Sequence, residues 1–112
     1  MALVHGVSRA GGEHTEVVCQ ALADAVFVIV TQVGDVSCIV DAEVERAGQD
    51  PIHSVRVVLG EYSPVAELVA RRILESLSPP RMRLVLSFGL KDRFSTDQVK
   101  DLVDAILQHK NW

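Results

Sequence analysis

The stretch AVFVIVT, residues 25–31, decides the predicted fold. Its β-branched and aromatic residues favour a β-strand. Apolar residues stand at successive positions from Ala25 to Val30 rather than at every second one, which is typical of a strand covered on both faces. We therefore predict that residues 25–31 form a central strand of a sheet.

Two strands are predicted before the central stretch. Residues 3–7 form a short first strand, and the β-branched residues of segment 14–22 favour a second one. Between them, residues 9–12 include two glycines, which supply the backbone freedom that a turn needs. The chain is therefore expected to open with a hairpin.

Two further strands are predicted after the central stretch. Gly34-Asp35 indicates a hairpin turn into a fourth strand over residues 36–43, where apolar and polar residues alternate. Residues 45–51 lose this alternation and contain a glycine and a proline, so we predict an exposed loop. Residues 54–59 resume the alternation as a fifth strand. One side of that strand is predicted to carry Val55, Val57 and Leu59.

The second half of the chain predicts two helices around a sixth strand. Ser63-Pro64 begins the first helix, because serine accepts a bond from an orphan amide and proline needs no donor there. Pro79-Pro80 forces its end. Residues 82–88 alternate as a strand, and Ser95 with Gln98 resembles the capping box of a closing helix.

These elements predict an α+β fold in one domain, residues 1–112, with the order β-β-β-β-β-α-β-α. The length of 112 residues suits a single hydrophobic core. We favour a mainly antiparallel sheet of about six strands, although residues 60–81 could also form a parallel crossover. Such a sheet is roughly 25 Å wide, and two helices of about 10 Å diameter cover approximately one of its faces.

The other face of the predicted sheet has no cover from the two helices. Isolated apolar residues on a solvated sheet face are normal, which is one interpretation. The continuous apolar stretch favours the other, a face that docks on another polypeptide. The candidate partner-binding residues by strand alternation are Val18, Ile39, Val58 and Val85.

Reactive and metal-ligating side chains form no recognisable constellation. Four histidines and two cysteines lack the spacing of a zinc site, and no carboxylate pair suits acid–base catalysis. Cys19 could pair with a histidine as a nucleophile, so a small enzyme or ligand-binding domain using Cys19 is an alternative. A cysteine inside a strand is more commonly an inert core residue. We predict no enzyme activity, no cofactor and no metal.

Charge and hydropathy argue against two classes of partner. The chain has 15 acidic and 11 basic residues, and its net charge of −4 opposes binding to nucleic acid. The longest apolar run, residues 25–30, is too short to cross a bilayer, and the N-terminus lacks a signal-peptide pattern. We expect a soluble intracellular protein that binds neither nucleic acid nor membrane.

Several pieces of the chain together carry a family resemblance. Thr15–Cys19 leads into the pattern Val-Thr-Gln-x-Gly at residues 30–34, followed by Leu59-Gly60, Lys91-Asp92 and the terminal Trp112. In this combination the chain resembles the proteasome assembly chaperone 3 family from about Gly12 to its end. The first eleven residues and the segment 43–51 do not match.

The resemblance implies a non-enzymatic chaperone of the cytosol and nucleus. It implies pairing with a related small chaperone, the fourth of the set, and homodimers when that partner is absent. The pair would bind proteasome α-subunits and promote formation of the α-ring of the 20S core particle. A generic adaptor subunit of another complex is the alternative that composition does not separate from this reading.

Overall fold

The computed structural model describes residues 3–10, 13–32, 38–47, 50–61, 63–77, 82–89, 99–110 and 112. These residues form six strands and two helices in the predicted order, so the α+β class is confirmed. The strands are β1 (Leu3–Ala10), β2 (Glu13–Ala21), β3 (Ala25–Thr31), β4 (Cys38–Ala47), β5 (Asp50–Gly60) and β6 (Arg83–Gly89). The helices are α1 (Pro64–Leu74) and α2 (Val99–Gln108).

The six strands form one sheet in the order β1-β2-β3-β6-β4-β5. Every neighbouring pair is antiparallel except β3 with β6, which is parallel. The prediction of a mainly antiparallel sheet is therefore confirmed. Because β5 and β6 both run antiparallel to β4, the segment that carries α1 is a crossover between parallel strands.

The predicted hairpin between the third and fourth strands is wrong. β3 and β4 are not neighbours, because β6 lies between them. The turn residues Gly34 and Asp35 lie outside the described residues. β6 occupies this place, and its Leu84 and Leu86 are fully buried on the side that faces the helices. A turn signal reports only local backbone preference and carries no information about a strand that arrives fifty residues later.

The predicted loop over residues 45–51 is also wrong, because most of this segment is a hairpin arm. β4 continues to Ala47 and pairs with β5 from Asp50, while β6 pairs with β4 only as far as Glu43. Pro51 is tolerated because β5 is an edge strand, where a missing backbone donor costs little. Beyond Glu43, β4 and β5 continue as a two-stranded hairpin past the end of β6, and the polar composition of this segment does not prevent the pairing.

β5 contains a β-bulge that changes the face of its last residues. The register shifts between Ile39 opposite Leu59 and Val40 opposite Val57, which leaves Val58 as the extra residue. Leu59 therefore lies on the same face as Ile39, not beside Val57 as predicted. Leu59 is 55% exposed, which agrees with this placement.

The core lies between the sheet and the helices, which pack on one face as predicted. α1 contacts β4, β5 and β6, whereas α2 contacts β1 and β2. The buried core residues of the strands are Val17, Cys19, Val26, Val28, Val30, Cys38, Val40, Ala42, Leu84, Leu86 and Phe88. The apolar spacing of Val99, Leu102, Val103 and Ile106 predicts the buried stripe of the closing helix, and all four are buried in α2. The proposed capping box at Ser95 and Gln98 lies outside the described residues.

Candidate protein-interaction surface

The face of the sheet opposite the helices, here called the open face, is organised in rows by the strand register. One row runs from β1 to β5 through His5, Val18, Ile29, Ser87, Ile39 and Leu59. The next row runs through Leu3, Gln20, Phe27, Val85, Asp41 and Arg56. Residues in a row lie on adjacent strands about 4.8 Å apart, so their side chains form a continuous surface.

Apolar side chains dominate the centre of the open face. We define the apolar patch as Val18, Phe27, Ile29, Ile39, Val85 and Leu59, with Val58 at its rim. Phe27 is 41% exposed, Ile29 is 38% exposed and Val58 is 58% exposed. A contiguous patch of this kind, unlike scattered single residues, is typical of a surface that contacts another protein.

The structure places three of the four predicted partner-binding residues within the patch and the fourth, Val58, at its rim. Val18 and Ile39 lie in the first row, separated by Ile29 and Ser87, and Val85 lies in the second row. Val58 is the bulge residue and has no cross-strand partner in the register. Their shared face agrees with the alternation, while their contact with a partner stays a prediction.

Sequence reasoning missed three members of the patch: Phe27, Ile29 and Leu59. The signal for Phe27 and Ile29 was present, because they stand at alternate positions of β3 and therefore share one side. The prediction that β3 is covered on both faces is wrong, because Phe27 and Ile29 are exposed on the open face. Leu59 could not be found by alternation, because the bulge at Val58 moves it to the other face.

A charged cluster borders the patch at the β4–β5 side. Arg83 donates from Nε to Oδ1 of Asp41 at 2.9 Å and from Nη2 to Oδ2 at 2.7 Å, and Arg56 donates to Oδ2 at 3.1 Å. The hydrogen bonds from Arg83 are the main reason that the pKa of Asp41 lies below its usual value, against the opposing effect of partial burial. Asp41 is therefore ionised at neutral pH.

A second polar rim borders the patch on the β1–β2 side. His5 Nε2 lies 3.5 Å from Glu16 Oε1, and both side chains are about half exposed. An apolar centre between polar borders is the usual anatomy of a protein–protein interface. These polar borders restrict the orientation of a docking partner, because the partner must place complementary polar groups at both borders.

The alternative that uses Cys19 receives no support from its surroundings. Cys19 lies on the helix-covered side of the sheet and is fully buried, and burial raises the pKa of its thiol to about 11. The thiolate, which is the nucleophilic form, is therefore scarce near neutral pH. Cys38 is also buried, and burial raises its pKa too.

Among the residues that the structure describes, no group of three or more His, Cys, Asp or Glu side chains could hold a metal ion. Neither α1 nor α2 has the length and apolar character needed to cross a membrane.

Comparisons with known proteins agree on one family. Residues 28–109 match the family model described as "Proteasome assembly chaperone 3". The chain is 28% identical over 106 residues to the Mus musculus and Bos taurus proteins of that name, with 90% of this chain and 86% of each relative covered. The Homo sapiens protein of that name is 27% identical over the same length.

A solved structure shares the fold. It is a chain from the structure described as "Crystal Structure of a Novel Chaperone Complex for Yeast 20S Proteasome Assembly". The TM-score is 0.78 at 13% sequence identity, and the alignment covers 96% of this chain and 98% of that chain. At this identity the likeness establishes the architecture, including the sheet that carries the open face.

Proposed function

The chain belongs to the proteasome assembly chaperone 3 family, and we propose that it carries out this non-enzymatic assembly role as one half of a chaperone pair joined through the open face. The other half is a related small chaperone, or a second copy of this chain when that chaperone is absent. The pair holds proteasome α-subunits while the α-ring of the 20S core particle forms, in the cytosol and the nucleus.

The observation that carries the proposal is an apolar patch on a face that no described element of the chain covers. Both helices lie on the opposite side of the sheet. Phe27 and Ile29 belong to a central strand, yet each leaves more than a third of its surface in water. A second sheet packed about 10 Å away would cover them, as the two sheets of a β-sandwich cover each other.

The size of the open face suits such a partner. Six strands about 4.8 Å apart, each with about four side chains on this face about 6.8 Å apart, give an area of roughly 600–800 Å² per partner. A standard specific interface buries about 800 Å² on each side. A chaperone of the same fold presents a face of the same dimensions, so two such faces match in extent.

The chaperone role requires the chain to bind other polypeptides and does not require it to catalyse a reaction. An assembly factor favours the correct intermediate by binding it more tightly than incorrect arrangements, so the required property is a difference in affinity. A modest interface with polar borders also permits release when the assembly matures. The open face has this composition, with the Asp41 cluster on one side and Glu16 on the other.

Charge substitutions at the centre of the patch test the pairing. We expect Ile29→Asp with Val85→Asp to weaken association at least thirtyfold, since an unpaired carboxylate buried in an interface costs roughly 2 kcal/mol. Leu68→Asp is the matched control, because Leu68 is also 38% exposed but lies on α1, on the other side of the molecule. Sedimentation velocity measures association, and far-UV circular dichroism verifies that each variant is folded.

Two results would contradict the pairing. One is a folded double variant that associates as tightly as the wild-type chain. The other is a wild-type chain that stays monomeric at its highest soluble concentration and forms no complex with a co-expressed related chaperone.

A separate experiment tests the clients. Affinity purification from cells with stalled proteasome assembly, followed by mass spectrometry, should recover free α-subunits without the mature core particle. Recovery of subunits of another complex, with no α-subunit, would favour the adaptor role instead. The double variant should recover less of the related chaperone than the Leu68→Asp control does.

A further inference from the structure

The outer edge of β1 lacks a partner strand among the described residues. β1 lies at one end of the sheet and pairs with β2 alone. Its register runs without a shift from Leu3 opposite Gln20 to Ala10 opposite Glu13. An edge of this kind directs alternate backbone N–H and C=O groups outward, where they can pair with an added strand.

The opposite edge of the sheet is protected, and β1 is not protected in the same way. β5 contains Pro51, which removes a backbone donor, and a bulge at Val58, which interrupts regular pairing. β1 has eight residues with no proline and no bulge. Of the two edges, β1 is therefore the one able to accept another strand.

A groove of about 360 Å³ runs beside the β1 edge, between this strand and α2. Its lining residues are Val7, Ser8, Arg9, Asp101, Asp104, Ala105 and Gln108. Asp101 and Asp104 are exposed on α2. Two carboxylates and one guanidinium leave the lining with a net negative charge.

Contacts between β1 and the end of α2 hold this groove in place. Ser8 Oγ donates to Gln108 Oε1 at 2.9 Å and lies 3.2 Å from His109 Nε2. Gly6 allows the His109 ring to lie directly against the strand, because a Cβ at this position would overlap the ring. The last turn of α2 is thus attached to β1, and Asp101 and Asp104, which lie earlier on the same helix, line the groove together with β1 residues.

We propose that the β1 edge and this groove bind an extended segment of another polypeptide as a seventh strand of the sheet. The segment alternates basic and apolar side chains. Side chains of an added strand point alternately to the two faces. Those on the helix side meet Asp101 and Asp104, which favours lysine or arginine, and those on the open face lie beside the exposed Leu3 and Val7. This site is separate from the central patch and does not depend on chaperone pairing.

The experiment uses fluorescein-labelled peptides of eight residues as probes with the full chain. The first peptide alternates valine and lysine, and the second has the same composition in blocks. The third alternates as the first does but carries N-methyl groups on every second amide, which removes the hydrogen bonds of one edge. Fluorescence anisotropy measures binding, and amide hydrogen exchange by NMR locates it.

We expect the alternating peptide to bind most tightly and to slow exchange of alternate amides in β1 without affecting β5. Asp101→Asn with Asp104→Asn should weaken binding about threefold or more at low salt, because exposed charge pairs contribute modestly and are screened by ions. Glu45→Gln with Glu61→Gln is the matched control. It makes the same change in net charge on exposed residues at the other side of the sheet, and should leave binding unchanged.

Any one of four results would overturn the proposal. The alternating peptide does not bind, the N-methylated peptide binds equally well, β1 amides gain no protection, or the two double variants behave alike. None of these results bears on the apolar patch, which contains no residue of β1, so the proposal fails or holds independently of the chaperone pair.

Discussion

Asp41 depends on two arginines from neighbouring strands to replace the water that it loses on the open face. Its side chain is only 12% exposed, whereas Arg83 and Arg56 are more than half exposed. The two contacts with Arg83 form a bidentate pair, which is the stronger geometry for an arginine and a carboxylate. Arg56 adds a third bond from the edge strand.

The Asp41→Asn variant should lose stability in a pH-dependent way. At neutral pH we expect the free energy of unfolding to fall by about 1 kcal/mol, since both arginines are largely solvated. The pKa of Asp41 is lowered in the folded chain, so its contribution is complete above the unfolded pKa of about 3.9. The contribution is lost as the pH falls through the lower, folded value.

Urea unfolding of both proteins, followed by the fluorescence of Trp112, the single tryptophan of the chain, measures this difference. The gap between wild type and variant should be constant from pH 7 to about pH 5 and shrink below about pH 4. Glu45→Gln, which removes an exposed carboxylate at the hairpin arm, is the control. A gap that does not change with pH would show that the ion cluster is not its cause.

At the scale of elements, α1 is defined by local signals at its start and by burial along one side. Ser63 Oγ accepts a hydrogen bond from the amide of Ala66 at 3.3 Å, and Pro64 follows directly. Glu67 and Arg71, one turn apart, form an ion pair at 3.1 Å. The helix ends at Leu74, five residues before Pro79, so the predicted end at Pro79-Pro80 is wrong, and both prolines lie outside the described residues.

The end of the chain is attached just beyond this helix. Trp112 Nε1 donates to Ser76 Oγ at 3.1 Å, and Ser76 Oγ donates to the carbonyl of Ile73 at 2.6 Å. The Trp112 side chain also packs against the core. Trp112, which follows α2, thus contacts the segment that follows α1.

We expect Ser63→Ala to lower the free energy of unfolding by about 1 kcal/mol, because the amide at Ala66 loses its side-chain acceptor. Ser63→Asp is the matched variant: it keeps an acceptor and places a negative charge at the positive end of the helix, so stability should be retained. Urea unfolding by circular dichroism measures both. Equal destabilisation by the two substitutions would mean that the hydroxyl contributes through something other than capping.

At the scale of the whole molecule, the two helices cover one face of the six-stranded sheet, and no described element covers the other face. Both helices contact the same side of the sheet, and the other side retains its apolar centre. A partner that packs on this uncovered face binds only the folded chain, so its binding raises the free energy of unfolding of the chain. Stability and association should consequently be linked.

We expect the midpoint of thermal unfolding to rise by about 3 °C for each tenfold increase in the concentration of an associating wild-type chain. The figure follows from mass action and an unfolding enthalpy of about 0.7 kcal/mol per residue. Ile29→Asp with Val85→Asp should abolish the concentration dependence, and Leu68→Asp should preserve it. Differential scanning calorimetry over a wide concentration range measures the effect, and a midpoint independent of concentration in the wild-type chain would contradict it.

Features that depend on neighbouring residues in the chain could be predicted from the sequence. The bounds of β3, the capped start of α1 and the buried stripe of α2 were all found, because they follow from side-chain periodicity and local hydrogen bonding. The same periodicity placed Val18, Ile39 and Val85 on one face. The family was recognised from the order of short patterns along the chain.

Only the tertiary structure decided which strands are neighbours and which apolar residues remain in water. β6 lies between β3 and β4, where its Leu84 and Leu86 are fully buried on the helix side, and the local turn pattern at Gly34-Asp35 could not indicate this pairing. The bulge at Val58 shifts the strand register and places Leu59 on the open face, which the alternation of apolar residues in the sequence does not indicate. Phe27 and Ile29 are exposed because both helices pack on the opposite face of the sheet, and the sequence of β3 does not indicate on which face helices pack.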